Sequence, residues 1–333
     1  MTEREVVRLA LERKNPPYVP WQIDLTEAVS RQLADYYGAG DSMQDRTGSH
    51  LVREKNKNHT ILDELHHRDI FGVTWQKESA GDIGVVTDYL MPEPEFGSYV
   101  FPVPDPELIG GKCRSLVEKF QNRFKIFEFS FSFFERAWTL RGMENILSDF
   151  LLEPDFVRAL FEKLFQYNLE GIRIAAQYPI DAIMFGDDWG QQKGMLMGAP
   201  LWRKFIKPYM GKLFEAVKIS GKSIILHSCG DILEIMGDLI DMGLDIYNTF
   251  QPEVYDMKDF KRRFGRNITV YGGVSTQGVL AHGTPEDVRE AALRAMEILG
   301  SGGGYIAAPT HQIPAGTPLE NILALIETVQ GQK

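Results

Sequence analysis

The chain has 333 residues, 44% of them hydrophobic and 25% charged, with a formal net charge of −10. This is globular composition with length enough for a large core, and its acidity argues against nucleic-acid phosphates as a partner. The two cysteines, Cys113 and Cys229, allow one disulfide at most; in a chain of this length both read as reduced, and the expected compartment is cytoplasmic.

The opening "MTEREVVRLALERKN" predicts a helix from about Thr2 to Arg13. It lacks the apolar centre of a signal peptide, and no window of the chain is apolar enough to span a bilayer, so no membrane association is expected. The helix should stop at "NPPYVP", because a residue before proline is pushed out of the helical region. "YVPWQIDL" reads as a strand and "TEAVSRQLADYYG" as a helix. Polar, helix-poor sequence follows, holding the strand-like pieces "FGVTWQKE" and "IGVVTDYL". Residues from about 43 to 110 are therefore read as an elaboration on one domain spanning residues 1–333.

The remainder alternates regularly. Strands are expected at "FKIFEFSF", "DAIMFGDDWG", "SIILHSCG", "DIYNTFQPE", "ITVYGGV" and "YIAAPTHQIP". Helices are expected at "MENILSDFLL", "PDFVRALFEKLFQYNLEGIRIAAQY", "APLWRKFIKPYMGKLFEAVKISG" with a break near Pro208, "DILEIMGDLIDMG", "TPEDVREAALRAMEILG" and "TPLENILALIETVQ". Thr284 reads as an N-cap with Pro285 behind it, and Thr317 with Glu320 as a capping box. Apolar strands alternating with amphipathic helices predict parallel strands with helical crossovers. About eight strand candidates favour an α/β fold of the (β/α)8 barrel type over an open sheet.

In such a barrel the C-terminal strand ends share one face, and the active site forms there. The polar residues at those ends are Asp24, Asp187, Asp188, His227, Cys229, Gln251, Glu253, Tyr271 and His311. His227 and Cys229 lie two residues apart, so on one strand both point the same way. With His311 at the end of the last strand they make a candidate zinc set with a fourth position open. Neighbouring strand residues face opposite ways, so one of Asp187 and Asp188 should enter the pocket, and Asp187 is preferred. Asp187, Glu253 and Tyr271 are the candidate catalytic groups. Trp21, Asp24, Trp75, Phe185, Trp189 and Gln251 are the candidate substrate contacts. Glu135 and Arg141 read equally well as a structural ion pair, and His66 and His67 as surface.

The stretches "ILHSCGDI", "VYGGVST", "APTHQIPAGTPLENI" and "GDDWGQQKGMLMGAPLWRKFIKPYM" resemble the uroporphyrinogen decarboxylase-like superfamily, from about Phe124 onward. The resemblance implies a (β/α)8 barrel. The porphyrinogen decarboxylases of that superfamily carry an arginine-rich stretch after the first strand, whereas this chain has "WQIDLTEAVSR". The other branch, the cobalamin-dependent methyltransferases, is matched at His227 and Cys229, which fall on its His-x-Cys zinc motif. Its third ligand is a cysteine in a motif like "APGCGI", where this chain has "APTHQI" and His311. A neutral imidazole in place of a thiolate leaves more positive charge on zinc, which suits polarising an ether or phenolate oxygen. The resemblance thus implies a zinc-dependent O-demethylating methyltransferase. It would pass a methyl group from a small methoxylated compound, aromatic by preference, to cobalamin on a separate corrinoid protein. It also implies a homodimer. The competing expectations are a methylcobalamin:thiol methyltransferase, a metal-free lyase acting on a smaller acid, and a barrel that binds ligand without turning it over.

Overall fold

The computed structural model describes residues 1–38, 43–77 and 84–333. Its centre is a seven-stranded parallel sheet of β1 (Leu51–Lys55), β6 (Phe124–Phe129), β7 (Ala182–Gly186), β8 (Ser223–His227), β9 (Ile246–Phe250), β10 (Thr269–Val274) and β11 (Tyr305–Pro309), in that order. Between β1 and β6 the chain makes a second, antiparallel sheet of β2 (His59–Ile61), β3 (His66–Asp69), β4 (Thr74–Gln76) and β5 (Val85–Val86).

The eighth stave is the segment from Pro20 to Thr26. It is too irregular to count as a strand, but it bridges in parallel to β11 at Ala307 and again at Ile313. The Gln22 amide donates to the Ala307 carbonyl and the Ala307 amide to Pro20, both at 2.9 Å. On the other side the His50 amide donates to the Trp21 carbonyl at 2.8 Å, just before β1. The expected (β/α)8 architecture is therefore present, with one stave held by scattered bonds.

The helices that the sequence pattern places are present, with one correction at a cap, and helices it did not place, among them Phe134–Arg141 and Met257–Phe264, join them. The break near Pro208 separates helices Ala199–Phe205 and Lys207–Ile219. Thr284 caps Pro285–Gly300 in a reciprocal box with Asp287. The expected box at Thr317 does not form: its hydroxyl donates to the Pro314 carbonyl, and Pro318 precedes the last helix. Within the stretch read as an elaboration, Leu51–Lys55 is a barrel stave paired with β6, and Pro106–Lys119 is a capped helix. The ends of the two strand-like pieces, at Glu78 and Ile83, lie outside the described residues. No described helix is long and apolar enough to cross a membrane.

The barrel interior is a small apolar cluster, separate from the larger core between strands and helices. It comprises Leu51, Phe124, Ile126, Ala182, Met184, Ile225, Ile246, Tyr271, Ile306 and Ala308, with Val7 of the first helix packed into it. Alternate strand residues point inward, so each stave runs from apolar to polar along its inner face. Ala182 and Met184 lead to Gly186 and then Asp188; Ile225 leads to His227 and then Cys229. Leu51 leads to Arg53 and Lys55, Ile126 to Glu128, and Ile246 to Asn248. The apolar layer closes the bottom of the barrel, and the polar residues that follow it make the floor and walls of a cleft.

Candidate metal centre

The cleft is a cavity of about 120 Å³ at the C-terminal ends of the staves, lined among others by Asp24, Arg53, Glu128, Glu135, Asp188, His227, Tyr271 and His311. On one wall, Asp188, His227 and Cys229 bring a carboxylate oxygen, an imidazole nitrogen and a thiol sulfur within 4.8 Å of one another. The Cys229 Sγ lies 3.5 Å from His227 Nε2, which lies 3.8 Å from Asp188 Oδ1. Two ligands on one tetrahedral zinc, at the usual bond lengths, stand about 3.4–3.6 Å apart. The Cys229–His227 spacing falls in that range, Asp188 stands a few tenths of an ångström beyond it, and the donor types are those zinc takes.

The residues around these donors fix them. Asn248 Nδ2 donates to the Tyr271 carbonyl at 3.2 Å, which turns Asn248 Oδ1 toward His227 Nδ1 at 2.6 Å. An amide oxygen can only accept, so Nδ1 carries the proton and the Nε2 lone pair faces Cys229 and Asp188. This is the support a metal-binding histidine ordinarily receives from its second nitrogen. The Cys229 amide donates to Asp188 Oδ1 at 2.8 Å, and the Gly230 amide to Gln251 Oε1 at 2.7 Å. Gly230 has φ +76°, and a Cβ there would meet Gly190 backbone at 2.4 Å. Glycine at this turn is what lets the loops after β7 and β8 touch, setting Asp188 against Cys229.

The opposite wall is an ion-pair network. Arg53 bridges Asp24 and Glu128, and Lys55 reaches Glu128 at 3.3 Å. Burial works to raise the Glu128 pKa, but Arg53 and Lys55 pull it down to about 2. A carboxylate held below its unfolded value stabilises the fold above that value, and the stabilisation is lost as pH falls toward the folded one. Wild type should therefore lose roughly 3 kcal/mol more than Glu128→Gln between about pH 5 and pH 2, read by urea unfolding. Equal losses in the two proteins would mean the network does not hold Glu128 ionised.

Glu135 lines the cavity between the two walls. Burial, then the Asp188 and Asp187 carboxylates, push its pKa well up. Burial, then Asp188 and Glu135, likewise raise that of the Cys229 thiol. The expected pairing of Glu135 with Arg141 is not made: Arg141 binds Asp149 at 2.7 Å. Glu135 was hidden in an aromatic-rich stretch, and its unpaired acid in "FFERAW" was the one sequence signal for it.

The other expected site residues divide by strand parity. Asp24 and Tyr271 line the cavity, and burial pushes the Tyr271 hydroxyl pKa up. Asp187 does not face it. Its carboxylate is fully buried outside the barrel, accepting from the Phe134 and Glu135 amides at 3.0 and 2.8 Å and from Trp189 Nε1 at 2.7 Å. Burial raises its pKa to about 6 against the pull of those donors. Phe185 and Trp189 share its parity and pack outward on Phe214 and Trp202. Trp21 likewise turns outward, donating Nε1 to the Thr47 carbonyl and packing on His50. Trp75 belongs to the antiparallel sheet, bonded to Asp69 and set against Trp138 and Phe131; it packs behind the cavity-lining Phe131 and does not itself line the cavity. Gln251 holds the Gly230 turn, and Glu253 is exposed and accepts from the Ser275 hydroxyl. His311 lines the rim with its ring centroid 5.8 Å from that of His227, but it is outside the three-donor cluster, where Asp188 stands in the third position.

The family described as "Uroporphyrinogen decarboxylase (URO-D)" matches residues 100–332. A uroporphyrinogen decarboxylase of Coxiella burnetii is 27% identical over 184 residues, 54% of this chain and 48% of that protein. A methylcobamide:CoM methyltransferase, MtbA, of Methanosarcina acetivorans is 24% identical over 179 residues, 54% of this chain and 50% of that protein. The chain thus spans about half the length of the curated relatives it matches. Among solved structures, a methyltransferase from Methanosarcina mazei superposes with a TM-score of 0.77 over 99% of both chains at 19% identity, a likeness of fold.

Proposed function

The chain belongs to the uroporphyrinogen decarboxylase (URO-D) family, and within it we propose a corrinoid-dependent methyltransferase that takes its methyl group from a small methoxylated, preferably aromatic, substrate. The observation that carries this reading is the convergence of Asp188, His227 and Cys229 with His227 Nε2 left free by Asn248. These three residues would hold zinc. A zinc ion so held supplies Lewis acidity for the negative charge that develops on the leaving oxygen. A carboxylate donates less charge than the thiolate it replaces as third ligand, which favours an oxygen over a sulfur partner.

The chain's own residues do the positioning. Asn248 keeps the proton on His227 Nδ1, and Gln251 holds the turn that carries Cys229. Glu135, whose pKa burial and Asp188 push up in the metal-free cleft, faces the same cavity and is the acid placed to return a proton to the released oxygen. The methyl carbon exchanges its bond to oxygen for one to cobalt on the corrinoid protein. The C–O electron pair stays on oxygen, and cob(I)alamin supplies the pair for the new bond. The methyltransferase among the relatives, which by its name acts on methylcobamide, supports a corrinoid partner.

The decarboxylase among the relatives favours a second reading, a metal-free lyase on a small acid. Arg53 is already engaged by Asp24 and Glu128, which leaves it no free face for the carboxylates of a tetrapyrrole. The test is to incubate zinc-loaded protein with cob(I)alamin and methoxylated benzenes. The absorbance change to methylcobalamin is expected, and it should fall at least about a hundredfold in Cys229→Ala. Carbon dioxide release without corrinoid, and no methylcobalamin, would establish the lyase instead.

A further inference from the structure

The eighth stave meets β1 through the His50 amide and then diverges from it. The Ile23 amide goes to the Ser49 hydroxyl, and no later backbone bond joins the two among the described residues. The gap is a cavity of about 300 Å³, larger than the cleft at the metal centre. The two share Asp24, Arg53, Lys55 and Gln312 as a common wall, so they adjoin.

Two side chains of this second cavity have no partner. Gln22 is 7% exposed and its Oε1 is unpaired. No described group holds its amide nitrogen either, and Nε2 is the accessible atom of the amide, so its two N–H donors are the ones open to the cavity that Gln22 lines. Lys57 also lines the cavity, and no described carboxylate or carbonyl holds its ammonium. The acids nearby are already satisfied: Asp24 by Arg53, Glu128 by Arg53 and Lys55, and Glu54 by Lys112 at 3.3 Å. Lys112 also donates to the Lys55 and Lys57 carbonyls, both at 2.7 Å, which fixes the loop that carries Lys57. The helix Glu27–Tyr37 begins beside the cavity without a side-chain cap, because the Thr26 hydroxyl donates to the Ile313 carbonyl instead. Its N-terminal end adds to the attraction for negative charge.

We propose that this cavity is an anion subsite, in which Lys57 and Gln22 take the acidic end of a substrate whose other end reaches the metal centre past the shared wall. The acid is a carboxylate, sulfonate or phosphate. The inference rests on the methyl-transfer reading for which bond is then broken, but the binding itself does not depend on it.

The test is calorimetric titration of the zinc-loaded protein with 4-methoxybenzoate, 4-methoxybenzenesulfonate and 4-methoxyphenyl phosphate, with methoxybenzene as the neutral control. At least one acid should bind about tenfold or more tighter than methoxybenzene, the worth of one charge-assisted contact. The preferred acid identifies the group. Lys57→Gln should remove the advantage, Gln22→Ala should reduce it, and Lys57→Arg should restore it. Lys57 is exposed, so its two variants should fold as wild type does; Gln22 is buried, so Gln22→Ala is read only where thermal unfolding matches wild type. Equal binding of acids and methoxybenzene, or an acid preference indifferent to Lys57, overturns the subsite. Methyl transfer measured on the same samples separates the two readings. Lys57-dependent binding without transfer keeps the subsite and rejects the methyltransferase; transfer without acid preference does the reverse.

Discussion

Asp188→Asn and Cys229→Ala should each strip zinc from the protein, and His311→Ala should leave it bound. The three-donor cluster sets this order. Asp188, Cys229 and His227 place their ligand atoms within 4.8 Å of one another, while His311 stands at the rim outside that cluster. Removing a supporting residue behind a metal ligand costs about 10–100-fold in affinity. Removing one of three ligands should cost more than about a hundredfold, and Asn248→Ala, which frees the His227 tautomer, should fall within that supporting range. The measurement is zinc content of the purified variants after dialysis, then competition with a chelator. If His311→Ala loses zinc while Asp188→Asn keeps it, the ligand set read from the sequence is right and the cluster is a packing coincidence. If wild type takes up no zinc at all, the Lewis-acid reading falls.

The proposed ligand set, with Asp188 in the place the sequence reading gave to His311, turns on one strand's parity. His227 and Cys229 were legible because they extend one apolar strand, two residues apart. Asp188 was missed through an undecided parity. In β7 Phe185 is large and Gly186 has no side chain, and the register pairs Gly186 with His227. A barrel interior near its polar layer takes the small residue, while the bulky one faces the helices. Carried two residues on, that places Asp188 inside and sends Asp187 and Trp189 outside.

The stave Leu51–Lys55 was missed for a related physical reason. "LVREK" has the alternation of a strand, but its inner face is Leu51, Arg53 and Lys55. Cations on an inner face look like a solvated face until the site they line is known. The eighth stave was legible as "YVPWQIDL", yet nothing in it announced the gap beside β1. That gap follows from Ile23 bonding a serine hydroxyl where a regular ladder would bond backbone. The Thr317 box had the right spacing, but its hydroxyl found the nearer Pro314 carbonyl.

Asp187→Ala should unfold the barrel before it touches the chemistry, the opposite of its neighbour. The Asp187 carboxylate is 0% exposed and accepts from three donors: the amides of Phe134 and Glu135 and the indole of Trp189. The two amides open the helix Phe134–Arg141, whose own N-cap position is Phe133 and supplies no side-chain acceptor. Asp187 therefore caps that helix from another stave, and through the same helix it fixes Glu135 at the cavity. A buried donor left without a partner costs about 1–3 kcal/mol. With three donors released and partial relaxation, the loss should reach about 3–5 kcal/mol, a large part of the stability of a typical domain. Urea unfolding of Asp187→Ala beside Asp188→Ala separates the two acids. Asp188→Ala should unfold within about 1 kcal/mol of wild type when both are zinc-free, since its carboxylate is partly exposed and holds one amide. A loss below about 1 kcal/mol in Asp187→Ala would show that water or a shifted Trp189 replaces the cap. The helix carrying Glu135 would then be held by its aromatic packing alone.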